Sequence, residues 1–282
     1  MLKLALFASI VFAVFVFYEG TKPKPQLQIQ QPDQFFINSQ DKPSPEPAGG
    51  TSTTTNVKVE SIFKNEIPQL DGHWAIVVKD LKNNKTYQYN DQVVFQSASL
   101  YKLATMWTTF QEIKNGKLKK ETVISGWNIQ DALDAMITVS NNDAALALSE
   151  SLGWTNMERL MKAEGFASFN LTTKDSPKVN AADIAKLLER IYKNTAVSKE
   201  ASEQMRGLLF DQKINDRIPA KLPKDVKVGH KTGEIDNLRH DAGIVMGKKG
   251  DYIFVFLTET TPEYAVKTIA NMSLKIFNSL ED

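Results

Sequence analysis

Cysteine is absent from the 282 residues, so disulfide bonds, thiolate metal sites and cysteine nucleophiles are excluded. Histidine is scarce, and none of the three histidines, His73, His230 and His240, stands in the H-E-x-x-H spacing of zinc hydrolases. The G-x-S-x-G turn of α/β-hydrolases is also missing, so a Ser-His-Asp triad using Asp241 has no support. We therefore expect no metal and no cofactor, and we interpret His230 and His240 as structural or rim residues.

Long blocks of like charge are missing too. The chain has 34 Lys and Arg against 33 Asp and Glu, a formal net charge of +1, and both signs are mixed along the sequence. A polyanionic partner would favour a basic stripe, so nucleic acid binding is not expected. The hydrophobic content of 42% is enough for one sizeable globular domain, for which we expect a monomer.

The N-terminus differs from the rest of the chain. One basic residue, Lys3, precedes an uninterrupted apolar run from Leu4 to Tyr18, and no A-x-A cleavage site follows it. We interpret residues 1–20 as a signal peptide or a short membrane anchor, with retention favoured, which predicts export from the cytoplasm to the membrane, periplasm or exterior. Residues 21–56, rich in Pro, Gln, Ser and Thr, read as a disordered linker, and residues 57–282 as the catalytic domain.

The periodicity of the body changes twice. Residues 73–80 and 86–90 are β-prone runs around Asn83-Asn84, which predicts an antiparallel hairpin. Helical patterns follow, with Gly116 as a C-terminal cap and Asn180 as an N-cap supported by Asp183. Residues 227–233, 242–246 and 252–258 are predicted strands, and Thr261-Pro262-Glu263 predicts the start of a final helix. We therefore expect an α+β fold whose antiparallel sheet uses both chain ends, with flanking helices and an all-helical insertion.

Three short motifs occur in a fixed order in this body: Ser99-Leu100-Tyr101-Lys102, Ser140-Asn141-Asn142 and Lys231-Thr232-Gly233, followed by Glu234. Each is weak alone, because residues 61–64 also match S-x-x-K and residues 168–170 also match S-x-N. Order and context distinguish them from these chance copies. The first opens an apolar helix, the second ends an amphipathic stretch, and the third lies on a predicted strand.

The residue types suggest a division of labour. Ser99 and Lys102 are three residues apart and share a helix face, so a lysine with a lowered pKa can take the serine proton. Ser140 would relay that proton to a departing nitrogen, and Asn142 would bind a substrate amide. Lys231 and Thr232 would hold a carboxylate, while Gly233 lets substrate backbone lie close to the strand. The backbone N–H groups of Ser99 and Glu234 would form an oxyanion hole.

From Val57 to Asp282 the sequence resembles the class A β-lactamase-like serine hydrolases, a group that includes penicillin-binding proteins. The resemblance rests on the three motifs with their flanks, residues 95–99, 135–142 and 229–233. It implies a β-lactamase/transpeptidase-like fold and a penicilloyl-type acyl-enzyme on Ser99. It also implies a β-lactam or a peptidoglycan stem peptide as the small-molecule partner.

Two departures from the family pattern bear on activity. Asn141 stands where the family usually has Asp, which predicts a changed local hydrogen bond with the chemistry retained. The family's deacylating Glu, followed four residues later by Asn, has no counterpart in residues 166–178. Glu164 and Asp175 are the nearest substitutes, and each reads better as a solvated loop carboxylate. The helical segment between Ser99 and Ser140 is also shortened, which predicts a more open cleft.

We accordingly expect a serine hydrolase that forms an acyl-enzyme on β-lactams and deacylates slowly. The alternative functions are a D,D-carboxypeptidase or penicillin-binding protein, and a non-hydrolysing sensor of β-lactam or peptidoglycan; an esterase or other amidase would need only Ser99, Lys102 and the oxyanion hole. Arg239 is a further candidate for binding a substrate carboxylate. Trp107 and Trp127 are expected in the core.

Overall fold

The computed structural model describes residues 52–172 and 176–282. The apolar N-terminal run, most of the predicted linker and Asp175 lie outside these residues. The first helix begins at Ser52 and so overlaps the end of the predicted linker. None of the helices in the described ranges has the length and apolar character needed to cross a bilayer.

The described chain has strands at both ends of the body and a mainly helical middle. Three short 3₁₀ segments, Ile67–Gln69, Ala98–Leu100 and Ile218–Lys221, lie between the numbered helices and strands. In chain order, these are α1 (Ser52–Asn65), β1 (His73–Asp80), β2 (Lys85–Tyr89), β3 (Val94–Gln96), α2 (Tyr101–Lys114), β4 (Val123–Ile124), β5 (Trp127–Asn128), α3 (Ile129–Thr138), α4 (Asn142–Leu152), α5 (Trp154–Ala163), β6 (Lys178–Asn180), α6 (Ala181–Tyr192), α7 (Lys199–Phe210), β7 (Lys227–Ile235), β8 (Leu238–Met246), β9 (Asp251–Glu259) and α8 (Pro262–Glu281).

The central sheet is antiparallel and has the strand order β2-β1-β9-β8-β7. Strands from the start of the body, β1 and β2, pair beside strands from its end, so the prediction of a sheet built from both chain ends is confirmed. The predicted hairpin around Asn83-Asn84 is the β1–β2 turn, with Asn84 at φ 53°. Both β7 and β8 extend further than predicted, up to a tight turn at Asp236 and Asn237.

The sheet separates two hydrophobic cores, because alternate side chains of each strand point to opposite faces. In β1, Ala75 and Val77 pack on the helical side, whereas Trp74, Ile76 and Val78 pack against α1 and α8. In β9 the alternation is the same, with Val255 on the helical side and Phe254 on the α8 side. Trp107 is fully buried in the helical core, as expected, and Trp127 is half-buried against it.

Helix ends follow the capping signals with one difference. Asn180 caps α6, since its Oδ1 accepts from Asp183 N at 2.8 Å. The expected return bond from Asp183 to the Asn180 backbone is not made. Asp183 Oδ2 accepts from Ser168 N at 2.7 Å, and the Asn180 N–H donates to Ser168 Oγ at 3.1 Å. The first turn of α6 therefore anchors the loop that precedes β6.

Candidate active site

The nucleophile candidate, Ser99, lies in the 3₁₀ turn Ala98–Leu100, directly before α2. Ala98 has a left-handed backbone (φ 45°), and the Leu100 N–H donates to Ser97 O at 2.9 Å, which closes the turn. The helix proper therefore begins two residues later than predicted, although Ser99 remains at its N-terminal end. The Ser99 side chain is partly exposed, consistent with an accessible cleft.

Lys102 is fully buried in the first turn of α2. Its Nζ donates to Ser140 O at 2.7 Å, Asn142 Oδ1 at 2.8 Å and Ser140 Oγ at 3.2 Å, and Asn141 O lies at 3.5 Å. Burial lowers the pKa of Lys102 from 10.5 to about 8. The amine is therefore held by the whole second motif, and a useful fraction of it is neutral near physiological pH.

Ser140 joins the two lysines of the site. Its Oγ accepts from Lys231 Nζ at 2.9 Å and from Lys102 Nζ at 3.2 Å. The Ser140 backbone is left-handed, with φ 57°, which turns the hydroxyl toward the lysines after α3 has ended at Thr138. With both acceptor positions filled by amines, the Ser140 hydrogen is free to point toward a bound substrate.

The Asn141 position shows why Asn can replace the family's usual Asp. Asn141 is the N-cap of α4, and its Oδ1 accepts from Ala144 N at 2.8 Å. Asp and Asn cap helices about equally well. The substitution therefore retains the local structure that aims Asn142 at Lys102.

The third motif lies on β7, which packs against the nucleophile turn. Lys231 and Thr232 are buried, and Lys231 Nζ also donates to Thr232 O at 2.9 Å. Burial, followed by the charge of Lys102, lowers the pKa of Lys231 well below its ordinary value. A Cβ on Gly233 would lie 3.2 Å from Ser97 O, a tight contact, so the close approach of the two segments favours glycine.

A buried arginine that the sequence analysis missed, Arg217, lies next to this strand. Its side chain is 1% exposed, and Nη2 donates to Glu234 Oε2 at 2.6 Å. Asp216 Oδ1 is 3.5 Å from Nη1, while Nε and Nη1 make no hydrogen bond in the described part of the chain. No local pattern marks Arg217, because its burial depends on how residues 211–222 pack against β7 and β8.

Arg239, by contrast, is used in the β7–β8 turn. Its Nη1 donates to Asp236 O at 3.0 Å and Leu238 O at 2.7 Å, and its Nε lies 3.8 Å from Glu234 Oε2. Both arginines therefore have partners within the protein, and Glu234 Oε2 lies near each of them.

His230 and Asp241 form a buried pair on β7 and β8. The Nδ1 of His230 is 2.8 Å from Asp241 Oδ1, and its Nε2 is 3.0 Å from Asn215 Oδ1. The other carboxylate oxygen of Asp241 accepts from Ile218 N at 2.9 Å. These contacts hold the loop that carries Arg217. His230 is structural and not part of a rim, and Asp241 fixes this loop from within β8.

His240 is a second buried histidine and lies opposite Gly233 in the β7–β8 register. Its Nδ1 accepts from Thr258 N at 3.1 Å, so its Nε2 carries the hydrogen and donates to Gln96 O at 2.9 Å. Burial lowers the pKa of His240 to about 4. A neutral imidazole thus fastens the sheet to the segment that leads into Ser99.

The loop before β6 contains no carboxylate that is free to activate water among its described residues. Glu158 of α5 holds this loop, because its Oε2 accepts from Leu171 N and Thr172 N at 2.8 Å each. Burial alone would raise the pKa of Glu158, but hydrogen bonds from Lys162, Thr172 and Leu171 outweigh it and lower the pKa to about 2. Glu164 pairs with Arg190 at 2.8 Å. Glu158 and Glu164 therefore have structural partners.

Metal ligands are not grouped anywhere in the described ranges: no three His, Asp or Glu side chains come together in a way that could hold an ion. The donor set around Ser99 consists of amines, hydroxyls and amides, which suit proton transfer and anion binding more than cation binding.

The structure thus has a β-lactamase/transpeptidase-like fold, in which a serine at a helix start, a buried lysine, a bridging hydroxyl and a lysine on the adjacent strand form the candidate site. A family model described as the beta-lactamase enzyme family matches residues 58–280, and the chain belongs to this family. The expected resemblance is thereby confirmed. No curated protein sequence matches the chain significantly.

Solved structures share the fold at low sequence identity. A β-lactamase from Chitinophaga pinensis is 18% identical, covers 80% of this chain and 98% of its own, and has a TM-score of 0.71. A class A β-lactamase from Bacteroides cellulosilyticus is 20% identical over 81% of this chain and 99% of its own, with a TM-score of 0.71. A mutant of PBP-A, in an acyl-enzyme complex with penicillin G, is 18% identical over 80% of this chain and 97% of its own, with a TM-score of 0.74.

Proposed function

We propose that this protein is a serine hydrolase that forms an acyl-enzyme on Ser99 from β-lactams or D-Ala-D-Ala-type amides and releases the acyl group slowly. The observation that carries the proposal is the burial of Lys102 within hydrogen-bonding distance of Ser140 and Asn142, at the start of the helix that Ser99 precedes. A buried amine with a pKa of about 8 can act as a base near neutral pH.

In the acylation step, neutral Lys102 takes the hydroxyl proton of Ser99 as the Oγ–C bond to the substrate carbonyl forms. The negative charge moves to the carbonyl oxygen, which the N–H groups of Ser99 and Glu234 stabilise. The charge returns as the C–N bond breaks. The proton passes from Lys102 through Ser140 to the departing nitrogen, so Lys102 is neutral again and the acyl group remains on Ser99.

The same residues account for substrate binding. Lys231, Thr232 and the buried guanidinium of Arg217 would hold the carboxylate beside the scissile amide, and Asn142 would bind the acyl side-chain amide. The PBP-A mutant that shares this fold was captured with penicillin G as an acyl-enzyme. This supports β-lactams as acyl donors for the present chain.

The partners of the nearby carboxylates favour slow deacylation, the second half-reaction. Glu158 is engaged with the loop backbone and Glu164 with Arg190, so each would have to leave a structural partner before it could activate water. This observation also favours the second candidate function, a penicillin-binding peptidase or sensor that keeps its acyl group.

Intact-mass spectrometry of the purified full chain with benzylpenicillin tests the proposal. We expect an adduct of one penicillin mass that persists after free penicillin is removed, and no adduct on the Ser99→Ala protein. Lys102→Ala should slow labelling about a hundredfold or more. A transient adduct with hydrolysed penicillin accumulating would indicate an efficient β-lactamase. Normal labelling of Ser99→Ala would overturn the site assignment.

We further propose that the protein is exported and held at a membrane by residues 1–20, on the strength of the apolar run from Leu4 to Tyr18. Fractionation of cells producing the full chain tests this. Recovery of the protein from the membrane fraction supports an anchor, whereas a soluble, shortened product supports a cleaved signal.

A further inference from the structure

The side-chain carboxylate of Glu234 lies in the part of the site that is expected to bind a substrate carboxylate. Residues two apart on a strand project from the same face, so Glu234 and Thr232 lie on one face of β7. Arg217 reaches this face and donates to Glu234 Oε2 at 2.6 Å. Glu234 is 57% exposed, whereas Arg217 is 1% exposed. An exposed anion at the site thus neutralises a buried cation.

The positive charges near Glu234 favour binding of an anion, and the Glu234 carboxylate reduces that preference. Arg239, which faces Glu234 in the β7–β8 register, lies 3.8 Å away through its Nε. Lys231 is the next cation along the strand. A substrate carboxylate that binds Thr232 and Arg217 must share the guanidinium with Glu234, and two carboxylates on one cation repel each other.

We propose that the Glu234 side chain determines the charge preference of the site by competing with the substrate carboxylate for Arg217. This inference rests on the proposed acylation of Ser99. The preferred substrates would then include acyl donors that are neutral beside the scissile amide, such as esters or internal amides. A site with a neutral residue at position 234 would accept these donors less well relative to carboxylates.

The sequence position strengthens the inference. The N–H of Glu234 is the proposed second oxyanion donor, so the backbone and the side chain of this residue have separate roles in the proposed site. Arg217 also retains Nε and Nη1 without hydrogen bonds in the described part of the chain. Both nitrogens are buried, and Asp216 Oδ1 lies 3.5 Å from Nη1, so Glu234 holds the hydrogen-bonded end of the guanidinium.

The test compares benzylpenicillin with its methyl ester, which differ only in the carboxylate. Second-order rates of Ser99 acylation are measured by intact mass for the native chain, for Glu234→Gln and for the control Glu121→Gln, an exposed residue in the turn before β4. Glutamine keeps an oxygen that can accept from Arg217, so the fold should be retained. We expect the acid-to-ester rate ratio to rise about fivefold or more in Glu234→Gln, and to stay at the native value in Glu121→Gln.

Ionic strength provides a second readout. Because Glu234→Gln adds one net positive charge to the site, added salt should lower the acid-to-ester ratio more steeply in this variant than in the native chain. If Glu234→Gln labels Ser99 with an acid-to-ester ratio and a salt dependence no greater than those of the native chain, Glu234 does not compete for Arg217, and the proposed function is unaffected. Failure of both penicillins to label any of the three proteins would overturn both.

Discussion

In the proposed mechanism, the protonation state of Lys102 controls when the site can react. In its protonated form, its ammonium group is satisfied by Ser140 and Asn142. Only the neutral form can take a proton, and with a pKa of about 8 roughly a tenth of the protein carries it at pH 7. The resting hydrogen bonds thus describe the protonated state, and the reactive state is a minor population near neutral pH.

We therefore predict that the rate of Ser99 acylation rises with pH through a pKa near 8 and levels off above it. Stopped-flow or rapid-quench labelling with penicillin across this range measures the profile. Lys102→Arg, which stays charged, should lose the rise together with most of the activity. A flat profile in the native chain would contradict the role of Lys102 as the base.

His240 gives a second pH effect, on stability. Its pKa falls from 6.5 to about 4 on folding because the ring is buried. Above pH 6.5 both states are neutral and its hydrogen bonds to Gln96 and Thr258 are intact. As the pH falls from 6.5 toward 4, the unfolded chain binds a proton that the folded chain excludes, so the free energy of unfolding decreases by up to about 3 kcal/mol.

Urea unfolding at a series of pH values tests this prediction. His240→Gln should lower the free energy of unfolding near neutral pH and flatten its decline between pH 6.5 and 4. Replacement of the exposed His73 by Gln should leave the native slope. Equal slopes in all three proteins would show that His240 does not titrate differently in the two states.

Among the elements, α4 has an N-cap, Asn141, that we expect to affect both stability and acylation. Asn141 caps this helix and so fixes the start from which Asn142 meets Lys102. We predict that Asn141→Ala costs about 1 kcal/mol of stability and slows acylation, while Asn141→Asp retains both. Thermal unfolding and penicillin labelling of the same samples measure the two effects.

The cap of α3 provides the matched control. Asn128 Oδ1 accepts from Asp131 N at 2.9 Å, the same arrangement at a helix that starts away from the lysines. Asn128→Ala should lower stability by a similar amount and leave acylation at the native rate. Equal slowing in both alanine variants would mean that lost stability, and not the position of Asn142, explains the effect.

Elements whose signals are local were predictable from the sequence. Asn83-Asn84, Asn180 and Thr261-Pro262 each act through their own backbone or the next turn, and the structure has the hairpin and the two helices there. Asp183 was misassigned because its partner, Ser168, is fifteen residues away. Helix α1 was missed because its polar first half resembles the linker, and its apolar residues acquire their partners from distant segments, including α8 and β2.

The motifs predicted which residues meet at the site but not how they are connected. The motif spacing did not indicate that Ser140 is a shared acceptor of both lysines, because this depends on a left-handed backbone that no pattern marks. Arg217 is likewise buried only through tertiary contacts of its loop with Asp241. Long-range pairing decided these features, and a single sequence does not show it.

On the scale of the whole molecule, the two cores share one sheet and should unfold together. We predict that Leu188→Ala on the helical side and Ile276→Ala on the α8 side each lower the free energy of unfolding by about 2–5 kcal/mol, since both side chains are fully buried. Each variant should still unfold in one transition. In both variants, the thermal transition measured by circular dichroism should coincide with the loss of Ser99 labelling. Separate transitions for the two measurements would show that the two cores unfold independently.

The helices α1 and α8 run side by side in opposite directions, linked by Lys58 to Asp282 at 2.7 Å and by Glu66 to Lys275 at 2.5 Å. The beginning and the end of the body therefore adjoin, on the face of the sheet opposite the helical core that contains α2. A short peptide could join them, and new termini could be opened at the exposed Lys248-Lys249 turn between β8 and β9. We expect such a circular permutant to leave the lysine and serine network in place, so Ser99 labelling should not require the native order of the chain.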